Sequence, residues 1–241
     1  MKNIIVLTSG LSGSSVVTNL LSRAGYWSGK ITCKKSDYDT HENTRLVELN
    51  DQLLRAVYYN HEYSYLIRKE KPLQVAQLIN EIDLAPFKAF ITECSSETPW
   101  IWKDPRLWVT MPFWIQLLEI NSFQLFFVDR SFSQRWISEL LRKNVQTFRY
   151  CKQYNTQVEV LINQLISKHN LTCYNIMYDD LIMYPEETLL KINKVLGSAL
   201  TVNDLELVYN KELYKKPRGI SSLLLALLIY LKNYKDRLKI N

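Results

Sequence analysis

Three clusters in this chain combine residue types and spacings that can do chemistry. The first is Ser12-Gly13-Ser14-Ser15, a few residues beyond the apolar run Ile4-Ile5-Val6-Leu7. Val16, Val17, Leu20 and Leu21 then repeat at helical spacing. A strand, a glycine-serine loop and a helix start aim backbone N–H groups and the positive end of a helix at one spot, which suits a phosphate or another anion. The second cluster is Lys103-Asp104-Pro105-Arg106, directly after Trp100-Ile101-Trp102. Asp104 can act there as a general base, and Lys103 can neutralise charge developing on a transferred group. The competing reading is an internal ion pair in which Arg106 holds Asp104. The third cluster is Arg130, just past the apolar run 123–128, with Ser138 eight residues later. An arginine can grip a phosphate with two parallel bonds and a serine hydroxyl can add a third. Here the competing reading is a salt bridge from Arg130 to Asp129 or Asp180.

Other residues fit chemistry less well. His41 and Glu42 are candidate substrate contacts, although Asn43 or Thr44 beside them can simply cap a helix. His41, His61 and His169 have no metal-ligand spacing, and Cys33, Cys94, Cys151 and Cys173 form no Cys-x-x-Cys pair, so no metal is expected. Ser14 stands where a Walker A loop requires lysine. Trp100, Trp102, Trp108 and Trp114 read as core rather than as a base-stacking platform.

The elements that must position these clusters alternate. Strands are expected at 4–7, 100–102, 123–128 and 173–178, the last followed by Asp179-Asp180-Leu181. Helices are expected from Val16, from about Pro105 (with Leu107, Met111 and Trp114 on the apolar face) and from near Phe132, over 146–168, and from Pro185 to Gly197. This alternation predicts an α/β fold with a mainly parallel sheet flanked by helices. Between the first unit and Trp100, residues 34–40 read as loop, 41–60 and 62–68 as helices, and Pro72 opens another. The stretch at about 35–90 therefore reads as a helical insertion without a strand. In parallel sheets ligands bind beyond the carboxyl ends of the strands, where all three clusters fall. A single domain over residues 1–241 is expected, with 220–241 forming a C-terminal helix.

Composition bounds the partners. Apolar residues make up 47% and charged residues 22%, as in a globular protein. The net charge is +6, which favours anionic partners: nucleic acid, acidic lipid or a polyphosphorylated small molecule. Met1-Lys2-Asn3 leads straight into the first strand, so no signal peptide and a cytoplasmic location are expected. The apolar run 223–231 is too short to span a bilayer. It reads as core or a homo-oligomer interface, with peripheral membrane contact, aided by Lys232, Lys235, Arg237 and Lys239, as the alternative.

In this order, the clusters resemble the sulfotransferases that use 3′-phosphoadenosine 5′-phosphosulfate (PAPS), and most of all their bacterial branch, whose nucleotide fold is P-loop-like. Ser12-Gly13-Ser14-Ser15 is similar to the family's opening motif. Arg130 with Ser138 matches its second nucleotide signature in kind and spacing. Lys103-Asp104-Pro105-Arg106 with Phe113-Trp114, the segment from His41 to Asp51, and Tyr178-Asp179-Asp180-Leu181 with Pro185 and Leu196-Gly197 complete the likeness over about residues 4–197. The resemblance implies that backbone N–H groups of Ser12, Gly13, Ser14, Ser15 and Val16 hold the 5′-phosphosulfate. It implies that Arg130 and Ser138 hold the 3′-phosphate, with Tyr178 and Arg218 also at the nucleotide. Lys103 and Asp104 would be catalytic, and His41, Glu42 and Arg106 would meet the acceptor, a small molecule or glycan rather than nucleic acid. Leu11 stands where the family has a basic residue. The implied reaction moves a sulfuryl group from PAPS to a hydroxyl of a carbohydrate, lipid or similar acceptor and releases PAP. Two other readings stand beside it: a catalytically impaired nucleotide-binding or scaffold protein of the same fold, motivated by Leu11, and a P-loop nucleotide kinase.

Overall fold

The computed structural model describes residues 1–35, 38–59, 69–141, 147–209 and 220–237. β1 (Asn3–Leu7) leads through the serine loop into α1 (Ser14–Arg23). An antiparallel hairpin follows, β2 (Thr32–Lys34) and β3 (Asp39–Asn43), then α2 (Thr44–Ala56), α3 (Lys71–Gln77) and α4 (Ala85–Ser96). The second half runs β4 (Ile101–Lys103), α5 (Leu107–Trp114), β5 (Phe123–Asp129), α6 (Phe132–Leu141), α7 (Phe148–His169) and β6 (Cys173–Met177). It closes with α8 (Tyr178–Met183), α9 (Pro185–Leu196), α10 (Val202–Val208) and α11 (Ile220–Arg237).

The main sheet has the order β4-β1-β5-β6, with every pairing parallel. The α/β expectation is therefore met. β1 is central because both of its faces are covered. Ile4 and Val6 point into one core with α1, α8, α9 and α10, while Ile5 and Leu7 point into another with α2, α4, α5 and α7. That double burial is why the strand reads as a continuous apolar run instead of an alternating one. The four tryptophans belong to the second core. Trp102 is nearly parallel to Trp100, with ring centroids 4.5 Å apart, and meets Trp114 edge-on at 5.0 Å.

Register aligns the strand ends. Val6 lies opposite Lys103 in β4 and Phe126 in β5, and Asp129 lies opposite Met177. All four strands thus deliver their following loops to one edge, and the chain passes from β1 to β4 on one side and then crosses back to β5 on the other. Ligands bind at such a switch point in open parallel sheets.

One expectation needs correction. The stretch at 35–90 is not purely helical: it contains β3, the second strand of the β2–β3 hairpin, and His41 and Glu42 lie in β3 rather than at a helix start. The segment Asp-Thr-His-Glu-Asn contains no apolar residue, so neither strand nor helix periodicity marks it. Its pairing with β2 and its packing under β4 hold it extended. Asn43 does cap α2, its side chain accepting bonds from the N–H groups of Arg45 and Leu46. The expected helix at 62–68 lies outside the described residues.

Candidate active site

The loop after β1 is sharply curved. Gly10 (φ 90°), Leu11 (φ 50°) and Gly13 (φ 83°) all adopt left-handed backbone, a conformation only glycine takes without cost. The Thr8 and Ser12 hydroxyls meet at 2.6 Å, and Gly10 N–H donates to Thr8 Oγ1 at 3.0 Å, which braces the bend. α1 starts at Gly13 with no side-chain cap. The Gly13 carbonyl accepts from the N–H groups of both Val16 and Val17. Val16 N–H is thus engaged within the helix, and the donors left for an anion at the helix start come from residues before it. Among the described residues Ser9 Oγ, in the same loop, is buried without a hydrogen-bond partner.

Arg130 and Ser138 are brought together as their spacing implied. Arg130 Nη1 donates to Ser138 Oγ at 3.0 Å, and Arg130 Nη2 lies 3.4 Å from Gln134 Oε1. The acid beside Arg130 is neither Asp129 nor Asp180. Asp179 stands 4.0 Å from Arg130 Nε and accepts the Ser131 N–H at 2.8 Å, whereas Asp129 pairs with Arg135. The Tyr178 ring lies between the serine loop and Arg130. It is 5.4 Å from the Arg130 guanidinium, and it also borders Gly13, where any added Cβ would stand 2.4 Å from the ring.

Lys103 and Asp104 are neighbours in sequence with opposite fates. Lys103 faces the first loop. Its ammonium donates to Glu42 Oε1 at 2.5 Å, and to Ser15 Oγ and the Thr40 carbonyl at 3.3 Å each. Asp104 is turned inward and has no exposure. Asn50 Nδ2 donates to one of its oxygens at 2.8 Å, while Arg106 donates to the other from backbone (2.9 Å) and side chain (3.0 Å). The internal ion pair with Arg106, the competing reading of this cluster, is thus formed, and in this arrangement the carboxylate anchors the turn after β4. The same bonds engage Arg106. Burial works against its charge, but Asp104 and Asp51, 2.9 Å from its Nε, hold its pKa above the ordinary value. It ties the turn after β4 to α2.

The hairpin places His41 and Glu42 beside Lys103. His41 takes a left-handed backbone (φ 54°), its N–H bonded to Asp39 Oδ1 at 2.7 Å. Burial lowers the imidazole pKa, against the pull of Asp39 and with help from Lys103. The shift favours the neutral imidazole. Asn50, Thr8, Thr40 and Gln134 complete the site and were not singled out by pattern. Asn50 left one trace: it is a polar residue on the Leu46, Leu49, Leu53 face of α2, and it is fully buried. Arg218 lies outside the described residues. Among the described residues no group of three or more His, Cys, Asp or Glu gathers as a metal site.

No family model matches the sequence, and no curated protein matches it. Solved structures do match. The sulfotransferase domain from the Synechococcus PCC 7002 olefin synthase superimposes with a TM-score of 0.55 at 16% identity, covering 95% of each chain. The chain has the sulfotransferase fold. A second such structure, the sulfotransferase domain from the curacin biosynthetic pathway, matches with a TM-score of 0.51 at 17% identity, over 92% of this chain and 81% of that one. At such identity the likeness lies in the backbone, so in this sulfotransferase-fold chain each residue's role rests on its own geometry.

Proposed function

We propose that this protein is a sulfotransferase that uses PAPS as donor and a hydroxyl as acceptor. The observation that carries the reading is the Gly13–Tyr178–Arg130–Ser138 arrangement. One aromatic ring spans an uncapped helix start and an arginine-serine pair, two anion sites of different construction on one sheet edge. A donor with phosphate at both its 5′ and 3′ ends fits that pair, and ATP does not use the second. The orphaned Ser9 hydroxyl and the uncapped α1 favour the phosphosulfate end in the first loop. Bound there, PAPS would supply a sulfuryl group, and transfer to a hydroxyl leaves PAP and one proton.

The chain's own residues then have separable tasks. Lys103, held between Ser15 and Glu42, supplies positive charge at the loop, where Leu11 offers none. Such a preorganised cation is worth on the order of 10²–10³ in rate. Glu42 accepts the acceptor's proton, and ion pairing with Lys103 orients its carboxylate toward the loop. Asn50, Asp104 and Arg106 hold the turn that aims Lys103. The acceptor is a carbohydrate, a lipid or a similar hydroxyl compound.

Calorimetry with PAP and AMP tests the donor. PAP is expected to bind at least about tenfold more tightly, since charge-assisted bonds to the extra phosphate contribute roughly 1.5–3 kcal/mol. Arg130→Ala should erase the difference. Equal binding of the two nucleotides would sink the reading. PAP binding without transfer of labelled sulfate to any of a panel of glycans and lipids would favour the scaffold reading.

A further inference from the structure

α11 is apolar on both of its sides, and among the described residues one side is packed while the other is exposed. Ala226, Ile229 and Tyr230 pack against Trp136, Ile137 and Leu140 of α6 and against Phe148, with Tyr230 and Trp136 centroids 6.4 Å apart. The opposite stripe carries Ile220, Leu223, Leu224, Leu227, Leu228 and Leu231, all exposed and spaced at one helical face. Leu228 is 65% exposed and Leu224 56%. A monomer in water rarely leaves so continuous an apolar strip open.

Charge says what would cover it. Residues 210–241 contain eight Lys and Arg against two Asp and Glu, a balance of +6, which equals the net charge of the whole chain. The first 209 residues therefore sum to zero, and the positive charge sits in the sequence on either side of the leucine stripe. Described and exposed Lys232 adjoins the stripe directly. A second copy meeting this face through two-fold symmetry would bring two such basic segments together. Nucleic acid would answer the charge and leave the leucines unburied. An anionic bilayer answers both, because leucines enter the headgroup–acyl boundary while lysines and arginines stay at the phosphates. Among the described residues no helix is long and apolar enough to cross a membrane, so α11 would lie in the interface plane.

We propose that the exposed leucine face of α11 docks this protein peripherally on membranes rich in anionic lipid. The inference is independent of the donor reading. Flotation of the full chain tests it, with vesicles of phosphatidylcholine alone and with about 30% phosphatidylserine added, at low and high salt. Binding to the anionic vesicles is expected to be at least about tenfold stronger and to fall at high salt. Leu224→Asp with Leu228→Asp should abolish flotation while thermal midpoint and circular dichroism stay unchanged. If that pair disturbs folding, Lys232→Glu should still weaken binding severalfold on anionic vesicles only. No flotation, or equal binding to neutral and anionic vesicles, overturns the proposal. So does a concentration-dependent dimer that the leucine variants dissociate, which would assign the face to a second copy.

Discussion

At Gly13 a φ of +83° coincides with the Tyr178 ring, whose Cδ2 would stand 2.4 Å from an added Cβ. Gly13→Ala therefore meets both backbone strain and a stiff aromatic neighbour, and should destabilise the protein by about 1–3 kcal/mol in urea titration. PAP binding should weaken as well, because the ring that must move also contacts Arg130. Leu11 sits two residues earlier in the same bend. Leu11→Lys is expected to raise sulfuryl transfer, by up to about 10²-fold if the new ammonium reaches the donor, measured with labelled sulfate. The proton acceptor can be read from the pH profile of kcat/KM. A base works in its unprotonated form, and His41 stays unprotonated until pH falls below its ordinary value near 6.5. An acid limb that survives His41→Gln and vanishes in Glu42→Gln is the expected result, and the reverse would move the role to His41.

At the scale of elements, the site depends on how β4 is locked to α2. Asn50 donates to Asp104 and accepts from Trp114 Nε1 at 2.8 Å, so one amide serves a buried carboxylate and a buried indole. Asn50→Leu keeps the volume of the apolar face and strands both partners. It should cost about 2–4 kcal/mol by urea denaturation, more than an ordinary lost hydrogen bond, because one partner is charged. Transfer should fall with it, since Lys103 is the residue immediately before Asp104. The hairpin matters equally, because β3 delivers Glu42 and the Thr40 carbonyl to Lys103 from a segment with no apolar side chain of its own.

Across the whole molecule, contacts between distant parts of the chain hold the helices together. Arg23 at the end of α1 donates to Asp204 in the first turn of α10 at 2.9 Å. The Asp204 carboxyl is held at about 2, first by the Thr201 hydroxyl and then by Arg23. A depressed carboxyl stabilises the fold above its unfolded value of 3.8, and that contribution disappears as pH falls through the folded value. Wild type should thus exceed Asp204→Asn in stability at neutral pH, with the gap closing between 3.8 and about 2, followed by urea midpoints at stepped pH. The basic balance of the chain is also a property of the whole, since all of it falls within residues 210–241.

The sequence alone determined the order of the four sheet strands and the helices between them, though not the β2–β3 hairpin, because buried parallel strands and capped helices leave local signals: the run Ile4-Ile5-Val6-Leu7, Pro185 at a helix start and Gly197 at its end. It also determined the Arg130–Ser138 meeting, since eight residues across a strand end and two helical turns leave little freedom. Tertiary structure decided which charges face the cleft. Lys103 and Asp104 are adjacent and equally plausible as candidates, yet alternation at the strand end sends one to Ser15 and Glu42 and the other to Asn50 and Arg106, both of them buried. No pattern marks Asn50 as the partner of a carboxylate 54 positions away, or Tyr178 as the bridge from Gly13 to Arg130. Those pairings arise only when parallel register brings the strand ends to one edge, because distance along the chain carries no record of distance in space.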